Sequence, residues 1–188
     1  MEPRMTRNAW VIALVSCSLA ACAADTGQFD EEEGENAVEP AALTQELKAG
    51  NVAALKNVKS GRCIGVDGAS TANGAFIKQF TCDGAANQGW TLQAVTNNTF
   101  RLSNGKSHRC IGVDGGSHNA GANLRQFTCD SSANQQWLIL SNANDVVFLN
   151  RGSDLCIGVD GASTANGAQL KQFACDERPN QRWVPQLR

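Results

Sequence analysis

Carboxylates are the residues of this chain whose types and spacing could do chemistry. Asp67, Asp114 and Asp160 each follow a cysteine by four positions, and Asp83, Asp130 and Asp176 each stand directly after a second cysteine. Hydrolysis of a glycosidic bond needs two carboxylates about 5–10 Å apart in a cleft. Acids that return in every copy of a repeat point instead to a scaffold or a binding surface. Ser107, His108 and Asp114 hold the residue types of a nucleophilic triad, yet proximity in sequence does not make the geometry. His108 and His118 both fall in the middle copy, where they are expected on the surface. No glycine-rich loop opens a helix to cradle a phosphate. The chain is read as a binding protein, with no enzymatic activity, no cofactor and no metal.

The cysteines must position those carboxylates. Six of the eight form pairs 19 positions apart: Cys63 with Cys82, Cys110 with Cys129, Cys156 with Cys175. Six cysteines allow fifteen pairings, and the threefold recurrence singles out the pairing within each copy. Zinc is the competing use, but there is no Cys-x-x-Cys and no histidine recurs with the cysteines. Disulfides place the chain in an oxidising compartment.

The segment Cys63 to Ala75 returns unchanged as Cys156 to Ala168, with a close copy from Cys110 to Ala122. Around it run short apolar alternations such as Val52–Val58, Phe100–Leu102 and Val146–Leu149, set between Gly, Asn and Asp clusters. That is the pattern of short strands and tight turns, and Asn73-Gly74 and Asn166-Gly167 are strong turn signals. The expected fold is all-β, with about four strands in each of three copies, near 51–97, 98–144 and 145–188. A unit of this size cannot bury its own apolar face, so three must share a core. Trp90, Trp137 and Trp183, one per copy, each offer roughly 150–250 Å² to that core. A bridge closing a loop of about twenty residues adds roughly 3 kcal/mol.

Ahead of residues 51–188, the first segment reads as an export signal. Arg4 and Arg7 precede the apolar run Ala9–Ala21, too short for a stable membrane span. It ends Leu19-Ala20-Ala21-Cys22, which resembles a bacterial lipobox; residues 1–22 would then be the signal and Cys22 the lipidated residue. Ala21-Cys22-Ala23 also fits ordinary cleavage after Ala23. Residues 23–50 form an acidic tether, with eight acids against Lys48 up to residue 48. The protein is thus expected to be exported, meeting a membrane only through a lipid anchor. From residue 51 onward thirteen Lys and Arg face nine Asp and Glu, an excess too small and too dispersed for a nucleic-acid partner.

Each copy closes on Gln-x-Trp: Gln88-Gly89-Trp90, Gln135-Gln136-Trp137, Gln181-Arg182-Trp183. With the period and the cysteine spacing, this resembles the ricin B-type lectins and the family-13 carbohydrate-binding modules across residues 52–188. The resemblance implies a β-trefoil with pseudo-threefold symmetry and binding of carbohydrate, a polysaccharide or a cell-surface glycan. It implies an aromatic ring stacked on sugar at Phe80, Phe127 and Phe173. Asn87, Asn134 and Asn180 would hydrogen-bond sugar hydroxyls. Gln88, Gln135 and Gln181 would brace the turn or touch ligand. Such modules often accompany glycosidases, so a separate enzyme partner is possible.

Two departures recur in all three copies. Gly65, Gly112 and Gly158 stand where those lectins place an Asp, and Lys78, Arg125 and Lys171 stand where a Gln is common. Strand alternation puts Gly65 and Asp67 on one face, as it does Lys78 and Phe80. Asp67, Asp114 and Asp160 could then supply the carboxylate from one pleat further out, above a pocket floor left open by the glycine. Equally, Asp67 could cap its turn or pair with Lys78 across the hairpin. A basic residue beside each ring also raises the option of a ligand with anionic groups, clamped best by Arg125. The alternative to a lectin is a β-trefoil protein-interaction module that binds no sugar.

Overall fold

Four strands form in each copy from short runs, buried throughout at Cys63–Val66 and at alternate positions in Ile77–Phe80, between turns that Gly, Asn and Asp make easy. The computed structural model describes residues 50–96, 98–142 and 144–188. The expected export segment with Cys22, and the expected acidic tether up to residue 49, lie outside the described residues. The first copy contributes β1 (Val52–Asn57), β2 (Cys63–Val66), β3 (Ile77–Phe80) and β4 (Trp90–Thr96). The second contributes β5 (Thr99–Asn104), β6 (Cys110–Val113), β7 (Leu124–Phe127) and β8 (Trp137–Ser141). The third contributes β9 (Val146–Asn150), β10 (Cys156–Val159), β11 (Leu170–Phe173) and β12 (Trp183–Leu187).

The outer strands of the copies close a ring. β1 pairs with β4, β4 with β5, β5 with β8, β8 with β9, β9 with β12, and β12 returns to β1. Closure leaves the ring no open edge. The inner strands form three hairpins, β2–β3, β6–β7 and β10–β11, joined to one another by single bridges such as Phe76 to Arg125. This is the β-trefoil, with its three copies arranged around one axis.

Trp90, Trp137 and Trp183 are fully buried and share the core with Leu55, Ile64, Ile111, Phe148 and Ile157. Each indole N–H donates to a carbonyl of its own hairpin: Ile64 at 3.0 Å, Ile111 at 3.1 Å, Ile157 at 3.4 Å. The tryptophans therefore weld each hairpin to the ring while filling its middle. The three disulfides join the cysteines within each copy, with Cα separations of 5.1, 5.0 and 5.1 Å.

A buried polar seam holds the copies together. Gln79 Nε2 donates to the carbonyls of Ser163 and Ala165 in the third copy, while its Oε1 accepts from Ser60 at 2.7 Å. Gln126 reaches Ser70 and Ala72 of the first copy, and Gln172 reaches Ser117 and Asn119 of the second. All three glutamines are 0% exposed, so each pairs every group it buries. Ser107 belongs to this seam, donating to Gln126 at 2.7 Å, and Asp114 binds Arg125. Of the triad residue types, Ser107 and Asp114 are thus bonded within the scaffold, and His108 is exposed.

Candidate functional site

Each copy builds one open cleft beside its hairpin. One wall is the 3-10 turn that follows the first hairpin strand: Asp67–Ala69, Asp114–Gly116 or Asp160–Ala162. The central glycine of each has a φ of about +60°, which lets the chain fold back at once: 58° at Gly68, 61° at Gly115, 58° at Gly161. The opposite wall is the 3-10 turn carrying the Asn and Gln: Ala86–Gln88, Ala133–Gln135 or Pro179–Gln181. Phe80, Phe127 and Phe173, half-buried, line the clefts between these walls.

The floor is occupied, contrary to the opening that a glycine there leads one to expect. A Cβ at Gly65 would stand 3.0 Å from Phe80 Cδ2 and 3.1 Å from Gln88 Cγ. At Gly112 and Gly158 the phenyl carbon would be 3.0 and 2.9 Å away. The ring leans onto the glycine, and the glycine is what allows it to.

Asn87 Nδ2 donates to the Val66 carbonyl at 3.4 Å and Asn134 Nδ2 to Val113 at 3.0 Å. Tied by the amino group, these amides keep an oxygen for a ligand. Asn180 lines the third cleft and is more buried, at 9% exposure. Gln88, Gln135 and Gln181 are committed to the turn. Each donates to the carbonyl of residue 81, 128 or 174 and accepts the N–H of Asp83, Asp130 or Asp176.

Asp67, Asp114 and Asp160 bond across the hairpin. Their carboxylates meet Lys78, Arg125 and Lys171 at 2.8, 2.7 and 2.8 Å. None of the six is among the residues lining the clefts. Arg125 is further engaged, donating to the Gly74 carbonyl at 2.7 Å with its guanidinium 3.7 Å above the Phe76 ring. The pairs are partly exposed, so each steadies its hairpin by about 0–1 kcal/mol.

The carboxylates that do line the clefts are Asp83, Asp130 and Asp176. One oxygen of each accepts a backbone N–H two residues on: Ala85 at 2.9 Å, Ser132 at 2.8 Å, Arg178 at 3.1 Å. That bond fixes the side chain, and all three residues are exposed. Their recurrence after the second cysteine was the available signal, and sequence reasoning assigned it no particular partner.

The last wall comes from another copy. Asn166 of the third copy lines the first cleft, Asn73 of the first lines the second, and Ala120 of the second lines the third. The hollows measure about 310, 310 and 540 Å³ in that order.

A family model described as a ricin-type beta-trefoil lectin domain matches residues 51–183. Among solved structures, the designed threefold-symmetric protein ThreeFoil is similar at 29% identity and a TM-score of 0.70, over 71% of this chain and 96% of that one. An exo-beta-1,3-galactanase from Clostridium thermocellum is similar at 29% identity and a TM-score of 0.72, over 73% of this chain but only 30% of that one. The Macrolepiota procera ricin B-like lectin, solved with lactose, has 20% identity and a TM-score of 0.64 over 73% and 96% of the two chains. Among curated proteins none matches the chain.

Proposed function

The chain belongs to the ricin-type β-trefoil lectin family, and on that premise we propose that it binds carbohydrate at three clefts. The observation that carries this reading is the same trio in every cleft: a half-buried phenyl ring, an Asn amide and a fixed carboxylate. A pyranose has an apolar C–H face and a rim of hydroxyls. Phe80, Phe127 and Phe173 offer the flat surface for the face. Asn87, Asn134 and Asn180 with Asp83, Asp130 and Asp176 offer acceptors for the rim. Hydrogen bonds to a charged group contribute about 1.5–3 kcal/mol each, which gives the carboxylates the largest share of orientation.

Shallow, open clefts of this kind bind single sugars weakly. Their arrangement around one axis suits a polymer or a dense glycan surface, where linked sites gain roughly 10²–10⁴ in avidity. Neutral sugars are the favoured class, because Lys78, Arg125 and Lys171 already hold carboxylates of the chain itself. Export and lipidation at Cys22 would display the clefts outside a cell, and intact mass of the mature N-terminus tests that step.

The test of binding is a glycan array of neutral and acidic saccharides, run at low and high salt with the full chain. Binding to neutral glycans that survives salt and is lost in the Phe80→Ala, Phe127→Ala, Phe173→Ala triple variant supports the reading. A triple variant that folds and binds as well as the parent would overturn it.

A further inference from the structure

The three clefts are built to one plan, but the third lacks a specific group that the other two contain. In the first cleft the side-chain oxygen of Asn166 accepts the Thr81 N–H at 2.7 Å and is met by Arg62 at 3.2 Å. In the second, Asn73 accepts the Thr128 N–H at 2.8 Å and is met by Arg109 at 3.3 Å. Arg62 and Arg109 also donate to the Thr81 and Thr128 hydroxyls, both at 2.7 Å. An amide from the neighbouring copy thus closes one side of each cleft.

In the third cleft the corresponding residues are Ala120, Ala174 and Leu155, in place of the Asn, the Thr and the Arg. Ala120 has no oxygen to offer the Ala174 N–H. Both alanines line the hollow, together with Ala162, and the hollow is larger than the other two, about 540 Å³ against 310 Å³. The residue next to the stacking Phe173 therefore presents a backbone donor beside a wall of methyl groups. Asp176 differs too: its second oxygen lies 3.2 Å from Arg178 Nε, where the other copies have Ala85 and Ser132. The third carboxylate is thus partly satisfied within the chain.

We infer that the third cleft recognises an N-acetylated sugar, whose acetamido group takes the place that an Asn carboxamide occupies in the other two. The acetamido carbonyl accepts the Ala174 N–H, as Asn166 accepts that of Thr81. Its methyl group packs on Ala120, Ala162 and Ala174. The first two clefts, closed by Asn166 and Asn73, take the plain hexose and exclude the acetamido arm. The inference rests on the carbohydrate reading above and narrows it to a sugar class at one of the three clefts.

The experiment is a ¹⁵N–¹H titration of the full chain with N-acetylglucosamine, N-acetylgalactosamine, glucose and galactose. At least one N-acetyl sugar is expected to shift the Ala174 amide, with about tenfold tighter binding than its parent hexose, the effect of one hydrogen bond and a buried methyl. The Thr81 and Thr128 amides are expected to show no such preference. Ala120→Asn with Ala174→Thr installs pairings that the fold already uses twice, and it should abolish the preference at the third cleft while leaving the other two unchanged. Hexose binding at the clefts with no N-acetyl preference at Ala174, or a preference that survives the double variant, overturns the inference and leaves the lectin reading standing. No response to any of the four sugars, with no glycan bound on the array, removes both.

Discussion

The ring of Phe80 rests on Gly65, where a Cβ would lie 3.0 Å from the ring's Cδ2. The glycine and the phenylalanine are thus one feature, repeated as Gly112 with Phe127 and Gly158 with Phe173. Gly112→Ala is expected to push the ring off its seat and destabilise the domain by about 1–3 kcal/mol, as overpacking does. Combined with Phe127→Ala, which removes the contact with the ring and leaves only Gln135 Cγ close, at 3.0 Å, the substitution should cost less than the two single effects added together. A double-mutant cycle in urea measures that coupling, and additive costs would show the ring and the glycine to be independent.

Asp83 and Asp67 should separate cleanly. Asp83→Asn with Asp130→Asn keeps the bonds to the Ala85 and Ser132 N–H groups but removes the charge facing the cleft. Affinity for a neutral glycan should fall about tenfold or more, the loss expected for a charge-assisted hydrogen bond, with the melting temperature unchanged. Asp67→Asn should leave binding intact and shift stability by less than about 1 kcal/mol. Calorimetry on both variants decides it, and the reverse pattern would return the ligand role to Asp67.

Gln79 carries the seam between the first and third copies. Gln79→Ala strips partners from Ser163 and Ala165 carbonyls and from Ser60. About 2–3 kcal/mol should be lost, because part-buried polar groups are left unpaired. Chemical denaturation should show one transition moved to lower denaturant, with its slope kept.

Asp145 and Arg182 form the most buried ion pair among the described residues, with Asp145 only 3% exposed. Asp145→Ala should cost about 2–3 kcal/mol, somewhat less than a fully buried pair, because Arg182 keeps contact with water. The hydrogen bond from Asp145 raises the Arg182 guanidinium above its ordinary value. A raised group stabilises the fold below its unfolded pKa and loses that contribution only as pH climbs through the folded one. Arg182 itself should therefore leave stability flat from neutral pH to the strongly alkaline range, and a thermal melt series across that range checks it.

The fold was legible because the sequence states it three times, through period, cysteine spacing and tryptophan placement. Strand alternation also sorted the faces well: Gly65, Lys78 and Phe80 do share one side. What it could not give was which neighbours on that face bond each other. The Asp67–Lys78 pair was one of two readings, and the seat of Phe80 on Gly65 depends on how far a ring leans. Gln79 lay unnoticed between Lys78 and Phe80, since its partners are about 85 residues away in another copy. Ala120 carried no signal either, because nothing in a linear chain says that the second copy completes the third cleft.

That borrowing of walls bears on how such a protein can change. Residue 73 is inherited with the first copy but shapes the second cleft, and residue 120 is inherited with the second but shapes the third. A duplicated copy therefore does not bring a whole specificity with it. It brings one ring and someone else's wall, so drift in a single copy retunes two recognition sites at once, and selection on either is answered by both.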